Sequence, residues 1–286
     1  MRTLLVVCVL GGIAHADKDA DAIKKQVKQT VYLANGATAF DADTVFAADA
    51  FAMVPGGYAN GPAAIDKAMV CSWSNPEGSY DIKLGKVVVG HQGDVGWATI
   101  DLAIRERAMD SPPATVPYRM TELFTRDGAT WKAHAVYISM AIKDRAEDWG
   151  DDSHYVSKDS PPGAETRDAP MLGWLAHAPD LAAHLHKGAD VIVLGSAPGE
   201  RGGASLLGGW KKLVFATDWS RAGGDGKTWA WVVARVVRDV KVKDGIVKEP
   251  YWLLALAVKG AADWEIVSLH YGQDYPDPGD LPGCGY

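Results

Sequence analysis

The chain has 286 residues, which fits two small domains better than one large one on a prior of about 100 to 200 residues per domain. Hydrophobic residues make up 48% and charged residues 23%, a composition that excludes the disordered, collagenous and polytopic membrane classes. The 29 Lys and Arg against 36 Asp and Glu leave a formal net charge of -7, the wrong sign for neutralising phosphates, so nucleic acid and anionic membranes are poor partners.

Arg2 precedes an apolar run from Leu4 to Ile13, and Ala14-His15-Ala16 supplies the small residues of an A-x-A cleavage site ahead of acidic Asp17. This is the pattern of a secretory signal peptide. The run is shorter than the roughly 20 residues that span a bilayer, and no later stretch is long enough. Residues 1–16 are expected to be removed, giving a periplasmic or secreted protein that starts at Asp17. Cys8 lies inside the apolar run without the small residue expected before a lipidated cysteine. Export leaves Cys71 and Cys284 where disulfides persist. Either they are bridged, tying the first half to the tail, or Cys71 is a buried thiol and Cys284 is unpaired.

The mature sequence opens with Ile23, Val27, Val31 and Ala34 at near-helical spacing, and Asn35-Gly36 is a stop signal. Phe51 to Val54 reads as a strand running into the turn Pro55-Gly56-Gly57, and Pro62 starts a helix through Val70. Three β-rich runs follow: Lys86 to Val89 with Trp97 to Ile104, then Tyr118 to Phe124, then Trp131 to Met140. Turn signals at Gly93-Asp94 and Asp127-Gly128 separate them. From Lys143 to Pro170 the chain holds charges, adjacent prolines at Pro161 and Pro162, and little apolar periodicity, as a linker does.

Beyond that linker the pattern returns. Tyr251, Leu256 and Trp264 each stand 133 positions after Tyr118, Leu123 and Trp131, and Trp231 stands 134 after Trp97. Such self-similarity marks a duplicated unit. The organisation expected is a signal peptide (1–16), a first unit (17–142), a linker (143–168), a second unit (169–272) and a Pro/Gly-rich tail (273–286). The second unit departs from the first: a short helix from Pro170 to Ala178 precedes Pro179, and Ala197 to Gly203 forms a glycine-rich insertion. His184 and His186, ahead of Gly188, read as the last turn of a helix. With His177 they make no metal set, because residues two apart on a helix point to different sides.

The order of elements resembles the nuclear-transport-factor-2-like superfamily, and within it the SnoaL-like and ketosteroid-isomerase-like domains. The likeness is carried by Phe51-Ala-Met-Val-Pro-Gly-Gly with Gly61-Pro-Ala-Ala-Ile, by Gly93-Asp-Val-Gly-Trp97, and by closing strands from Trp131 to Tyr137 and Trp264 to His270. The resemblance implies an α+β fold of two tandem cone-shaped units, each a curved, mostly antiparallel sheet wrapped against helices around a hollow for an apolar molecule. It also implies that the two units pack as an internal pseudo-dimer.

Strand alternation then picks out candidates for the concave faces. Trp97, Thr99 and Asp101 share one face, as do Trp231, Val233 and Arg235. On the closing strands Trp131, Ala133, Ala135 and Tyr137 are expected to share a face, matched by Trp264, Ile266, Ser268 and His270. Glu122 shares a face with Tyr118 and Met120, and its matched residue is Ala255. Trp97, Asp101, Glu122, Tyr137, Trp231, Arg235 and His270 are therefore the candidate ligand-binding residues, since pockets are mostly apolar with a few convergent polar groups. The alternative is that the faces are reversed, with Asp101 and Arg235 toward solvent and Tyr137 and His270 at the edge of a core. His134, on the other face from Tyr137, is expected at the surface. No cofactor motif and no metal set is present, and Gly195-Ser-Ala-Pro-Gly199 does not match G-x-S-x-G.

Two functions remain open. One is non-catalytic binding of a small apolar molecule or a protein partner. The other is an isomerase, cyclase or dehydratase acting on an apolar carbonyl compound, as the likeness to ketosteroid isomerase implies. That enzyme pairs an Asp base with an oxyanion hole of Tyr and a protonated Asp. Asp101 and Tyr137 would supply part of that set, provided they approach one another, and the third acid is missing. The first unit, with its long helix, is expected to hold the more enclosed hollow.

Overall fold

The computed structural model describes residues 4–36, 41–55, 57–73, 78–108, 112–141, 184–193, 214–242 and 245–273. Helix α1 (Leu4–Ala34), helix α2 (Ala42–Val45), strands β1 (Phe46–Val54) and β2 (Gly57–Asn60), and helix α3 (Pro62–Trp73) lead into a meander of β3 (Gly78–Gln92), β4 (Val95–Ala108), β5 (Ala114–Asp127) and β6 (Thr130–Met140). The second unit contains β7 (Leu185–Val193), β8 (Val214–Gly224), β9 (Trp229–Val242), β10 (Gly245–Lys259) and β11 (Trp264–Gln273).

The first sheet runs β2-β1-β6-β5-β4-β3 and the second β7-β11-β10-β9-β8. In each, one parallel pair, β1 with β6 and β7 with β11, joins an otherwise antiparallel sheet. Apart from β2, the two sheets have the same order and the same strand senses. The expected α+β architecture is therefore present in the first unit, and its sheet recurs in the second. Strand β7 was not expected from the sequence, and it corrects the placing of His186 and Gly188 in a helical turn: both lie in this strand.

In the first unit α1 lies across the sheet, and Ile23, Val27, Val31 and Ala34 form the predicted buried stripe. Gly36 ends the helix with φ +73°, its N–H donating to the Leu33 carbonyl at 2.8 Å, a conformation that favours glycine. Polar ties hold α1 down, among them a hydrogen bond of 3.1 Å from the Tyr80 hydroxyl to the Ala34 carbonyl. Asp19 pairs with Arg126 of β5, Gln26 Nε2 donates to the Trp131 carbonyl at 2.5 Å, and the Asn35 amide exchanges hydrogen bonds of 2.9 and 3.0 Å with the Ile82 backbone. Helix and sheet together enclose a core of Ile23, Val27, Ile65, Met69, Ile100, Met120, Phe124 and Trp131.

One expectation about faces is corrected. The register of β6 slips between the pairs Phe124–Ala133 and Leu123–Ala135, and that of β11 slips between Ala257–Ile266 and Leu256–Ser268. Each slip is a β-bulge, at His134 and at Val267, the same place in both copies. One extra residue reverses which face every later side chain takes. Trp131 and Ala133 therefore face α1, whereas Ala135 and Tyr137 face the other way. Trp264 and Ile266 are parted from Ser268 and His270 in the same manner. His134 is also corrected: it is largely buried at the bulge, 3.2 Å from Asp49 and edge-on to Trp229.

The faces turned away from the helices pack against one another. Phe51, Trp97, Leu123, Ala135 and Tyr137 of the first sheet meet Trp231, Val233, Trp252, Leu254, Leu256 and Val267 of the second in one buried cluster. Burying an apolar side chain of this size stabilises by about 1.5–3 kcal/mol. The packing is organised about an approximate two-fold axis, because equivalent residues touch each other, as in isologous contacts. Tyr137 stacks on its counterpart His270 with ring centroids 4.4 Å apart. Ser139 abuts its counterpart Gly272, where an added Cβ would stand 2.5 Å from the Ser139 Cβ. At one flank Arg221 donates to the Asp49 carbonyl at 2.7 Å and to Asn60, and lies over Phe51.

Each sheet also lays a tryptophan over a glycine of the neighbouring strand. Trp97 of β4 covers Gly90 of β3, and Trp231 of β9 covers Gly223 of β8 at 2.6 Å from where a Cβ would be. On the far face of the second sheet, Val191, Val232, Leu253, Ala255 and Tyr271 are buried. The expected helix Pro170–Ala178 and the insertion Ala197–Gly203 lie outside the described residues.

Overpacking the axis should be costly. Gly272→Ala is expected to destabilise by about 1–3 kcal/mol, read as a lower urea midpoint with unchanged slope. A shift below about 0.5 kcal/mol, the scale of an ordinary surface change, would contradict the close approach described.

Candidate functional site

The core between α1 and the first sheet is apolar on nearly every side, and one carboxyl stands in it. β5 carries no bulge, so Tyr118, Met120, Glu122 and Phe124 alternate onto the face covered by α1. Ala98 and Val136 flank Glu122 on the adjacent strands. Glu122 is fully buried, and neither carboxylate oxygen has a hydrogen-bond partner among the described residues. Burial without compensation disfavours the ionised form and pushes its pKa up to about 7; the Thr30 hydroxyl beside it pulls back part of that rise. That hydroxyl has one proton and lies 3.3 Å from the Gln26 carbonyl, so the two acceptors compete for it and Glu122 stays under-satisfied. One turn before Thr30, Gln26 is buried and its Oε1 also lacks a partner.

The other candidates lie on the opposite face, in the contact between sheets. Trp97 donates from Nε1 to Asp190 Oδ2 of β7 at 2.9 Å, both residues being buried. Trp231, its counterpart, has no partner for its indole N–H among the described residues. Asp101 pairs with Arg119 at 2.7 Å and is partly exposed. Asp101 pairs in register with Arg119 and Tyr137 with Thr121, so β5 lies between their strands, and Tyr137 stacks on His270. Asp101 and Tyr137 thus do not converge. Arg235 pairs across from Trp252 in β9, its side chain being outside the described residues, as are the Cys71 side chain and Cys284.

His270 is enclosed by the first unit. Its Nε2 lies 2.9 Å from Ser139 Oγ and its Nδ1 3.0 Å from Thr121 Oγ1. Each hydroxyl can give or take a proton, so a neutral imidazole is satisfied on both nitrogens. Burial, and then the charge of Arg119, lower its pKa to about 3. A hydroxyl beside imidazole is the raw material of nucleophilic catalysis, but Ser139 is fully buried and its side faces a packed sheet. The arrangement is a structural latch between units.

Sequence reading missed Asp190, Thr121, Ser139, Gly90 and Gly223. The glycines carried a legible signal, since they stand 133 positions apart opposite matched tryptophans. Asp190 carried none, because its partner lies in the other unit. Among the described residues no group of His, Cys, Asp and Glu forms a metal site, and no helix is long and apolar enough to cross a membrane.

The described residues thus form two sheets of the same strand order, the first of them covered by α1. The chain is similar to an NTF2-like protein with a cystatin-like fold from Novosphingobium aromaticivorans (18% identity, 51% of this chain and 95% of the other, TM-score 0.40). It is also similar to hexachlorocyclohexane dehydrochlorinase LinA-type3 from Novosphingobium barchaimii (15%, 43% and 86%, 0.38). A third similarity is to the CaMKII hub of S. rosetta (22%, 42% and 95%, 0.36). No family model and no curated protein matches the chain.

The two buried groups should tilt stability with pH in opposite senses. His270 stays neutral in the fold to about pH 3 but takes a proton near 6.5 when unfolded. Its contribution is complete above pH 6.5 and falls as pH drops toward 3, by as much as about 1.4 kcal/mol per unit. Glu122 keeps its proton to about pH 7 in the fold and loses it near 4.5 when unfolded, so its cost appears as pH rises from 4.5 to 7. Urea unfolding of His270→Gln should show a flatter acid limb than the parent. Glu122→Gln should gain relative stability from pH 4.5 to 7. Parallel pH profiles for parent and variants would refute both assignments.

Proposed function

We propose that this is an exported protein whose two units form an internal pseudo-dimer and whose first hollow binds a small, largely apolar molecule without chemical turnover. One observation carries the reading: Glu122 is fully buried among apolar side chains with neither oxygen hydrogen-bonded among the described residues, on the face covered by α1. A buried polar group left unsatisfied costs about 1–3 kcal/mol, and a ligand that supplied donors would remove that cost. The remaining polar candidates are engaged elsewhere, with Tyr137 and His270 on each other and Trp97 on Asp190. An acid/base isomerase needs a base together with oxyanion donors in one site. Here Glu122 has no such company among the described residues.

The second reading, an isomerase, cyclase or dehydratase of apolar carbonyl compounds, is favoured by the same carboxyl, because a group titrating near 7 suits general acid/base work. Protein purified from the exported fraction, denatured and extracted into organic solvent, decides between them. A retained apolar compound recovered unchanged after incubation supports binding, and its conversion to a product supports the enzyme. An empty extract together with no thermal shift from a panel of apolar compounds would overturn both. The same preparation is expected to begin at Asp17 on N-terminal sequencing, and Met1 there would refute export by signal cleavage.

A further inference from the structure

The outer side of α1 is charged oppositely to the chain as a whole. The sequence carries a formal net charge of -7, yet Lys18, Lys24, Lys25 and Lys28 are all exposed on this helix, and Asp21 is the only exposed acid from Lys18 to Ala34. Asp19, the other acid of that segment, is buried and paired with Arg126. At 3.6 residues per turn the four lysines, Asp21 and Tyr32 fall on one arc, opposite the buried stripe of Ile23, Val27, Val31 and Ala34. Lys24 stands 3.7 Å from Asp21, and Lys18, Lys25 and Lys28 have no ion pair among the described residues. From Lys18 to Lys28 the stripe is about 15 Å long. Two features fit it to lipid better than to an acidic protein. Tyr32 is one of two large apolar side chains left exposed among the described residues, and a tyrosine ring beside lysines suits the headgroup layer of a bilayer. The helix is also unbroken from Leu4, and its apolar run ends at Ile13, about 7.5 Å along the axis before Lys18. Contact of that run with a bilayer sets the lysines at headgroup level.

We propose that the exposed face of α1 docks on an anionic lipid bilayer and holds the protein at a membrane surface without spanning it. The whole-chain charge disfavours such a partner, but screening confines the attraction to groups within about one Debye length of the lipid, so the local face decides. The second sheet packs on the side of the first sheet turned away from α1, so the second unit points away from the lipid. The surface is independent of Glu122 and of the binding reading given above.

Cosedimentation of the full chain with vesicles tests this. Vesicles of phosphatidylcholine containing about one-third phosphatidylglycerol should bind about tenfold more tightly than phosphatidylcholine alone at low ionic strength. Salt at about 0.5 M, where the Debye length is about 4 Å, should remove the difference. Replacing three lysines together, Lys24→Gln, Lys25→Gln and Lys28→Gln, should also remove it, with a urea midpoint like the parent's showing an intact fold. The control Lys83→Gln, Lys86→Gln and Lys227→Gln makes the same change of net charge at exposed positions on other elements and should keep the preference. Equal binding to both vesicle types would overturn the proposal, as would a preference that survives the salt or the α1 variant. A loss in the control as large as in the α1 variant would assign the effect to net charge and overturn the site. Binding of polyglutamate without binding of the anionic vesicles would give the face to an acidic protein and overturn the membrane assignment.

Discussion

One extra residue in each closing strand governs the whole molecule. A strand shows alternate side chains to its two faces, so a strand that must line a hollow along its first half and a neighbouring sheet along its second needs an odd residue between. His134 in β6 and Val267 in β11 are those residues. Before the bulge, Trp131 and Ala133 face α1; after it, Tyr137 and Ser139 face the second unit. Without the slip Tyr137 would enter the hollow of its own unit, and the two sheets would have no ring contact on which to centre.

The contact built on those bulges is aromatic and buried. Trp97 and Trp231 lie flat over glycines, which brings their sheets close enough for Tyr137 and His270 to stack. The polar groups admitted to it are held mainly by the opposite unit, as with Asp190 on Trp97 and Ser139 and Thr121 on His270. A unit taken alone would expose this apolar face, and its buried polar groups, to water. The two halves therefore specify one another, and the core behind α1 is backed by the sheet-to-sheet contact.

How much was legible in the sequence follows from which features have local causes. The opening helix, its stop at Gly36 and the turns at Gly93 and Gly128 are local, and all three glycines have positive φ. The duplication was legible because tryptophan and tyrosine are scarce enough for their spacing to stand out. Glu122 could be placed beside Tyr118 and Met120 because β5 alternates without interruption. Faces beyond His134 and Val267 were not legible, since a bulge adds an ordinary residue with no signature of its own, and this sent Tyr137 and His270 to the wrong side. Strand β7 was hidden because it contains His186, Lys187 and Gly188, poor marks of a strand interior. The ties between units, such as Asp190 with Trp97, join positions 93 residues apart and leave no local trace.

The residues on the axis differ between copies, and a fused chain alone can exploit this. In an assembly of two identical chains, every residue on a two-fold axis meets itself. Joining two copies in one chain lifts that requirement, so a tyrosine can face a histidine and a serine can face a glycine. The same asymmetry makes the wrong pairing unfavourable: two first units brought together would set Ser139 against Ser139 where there is room for a hydrogen atom, and would offer no imidazole to Thr121. Fusion thus supplies a shape code that favours a first unit pairing with a second unit over two first units pairing with each other.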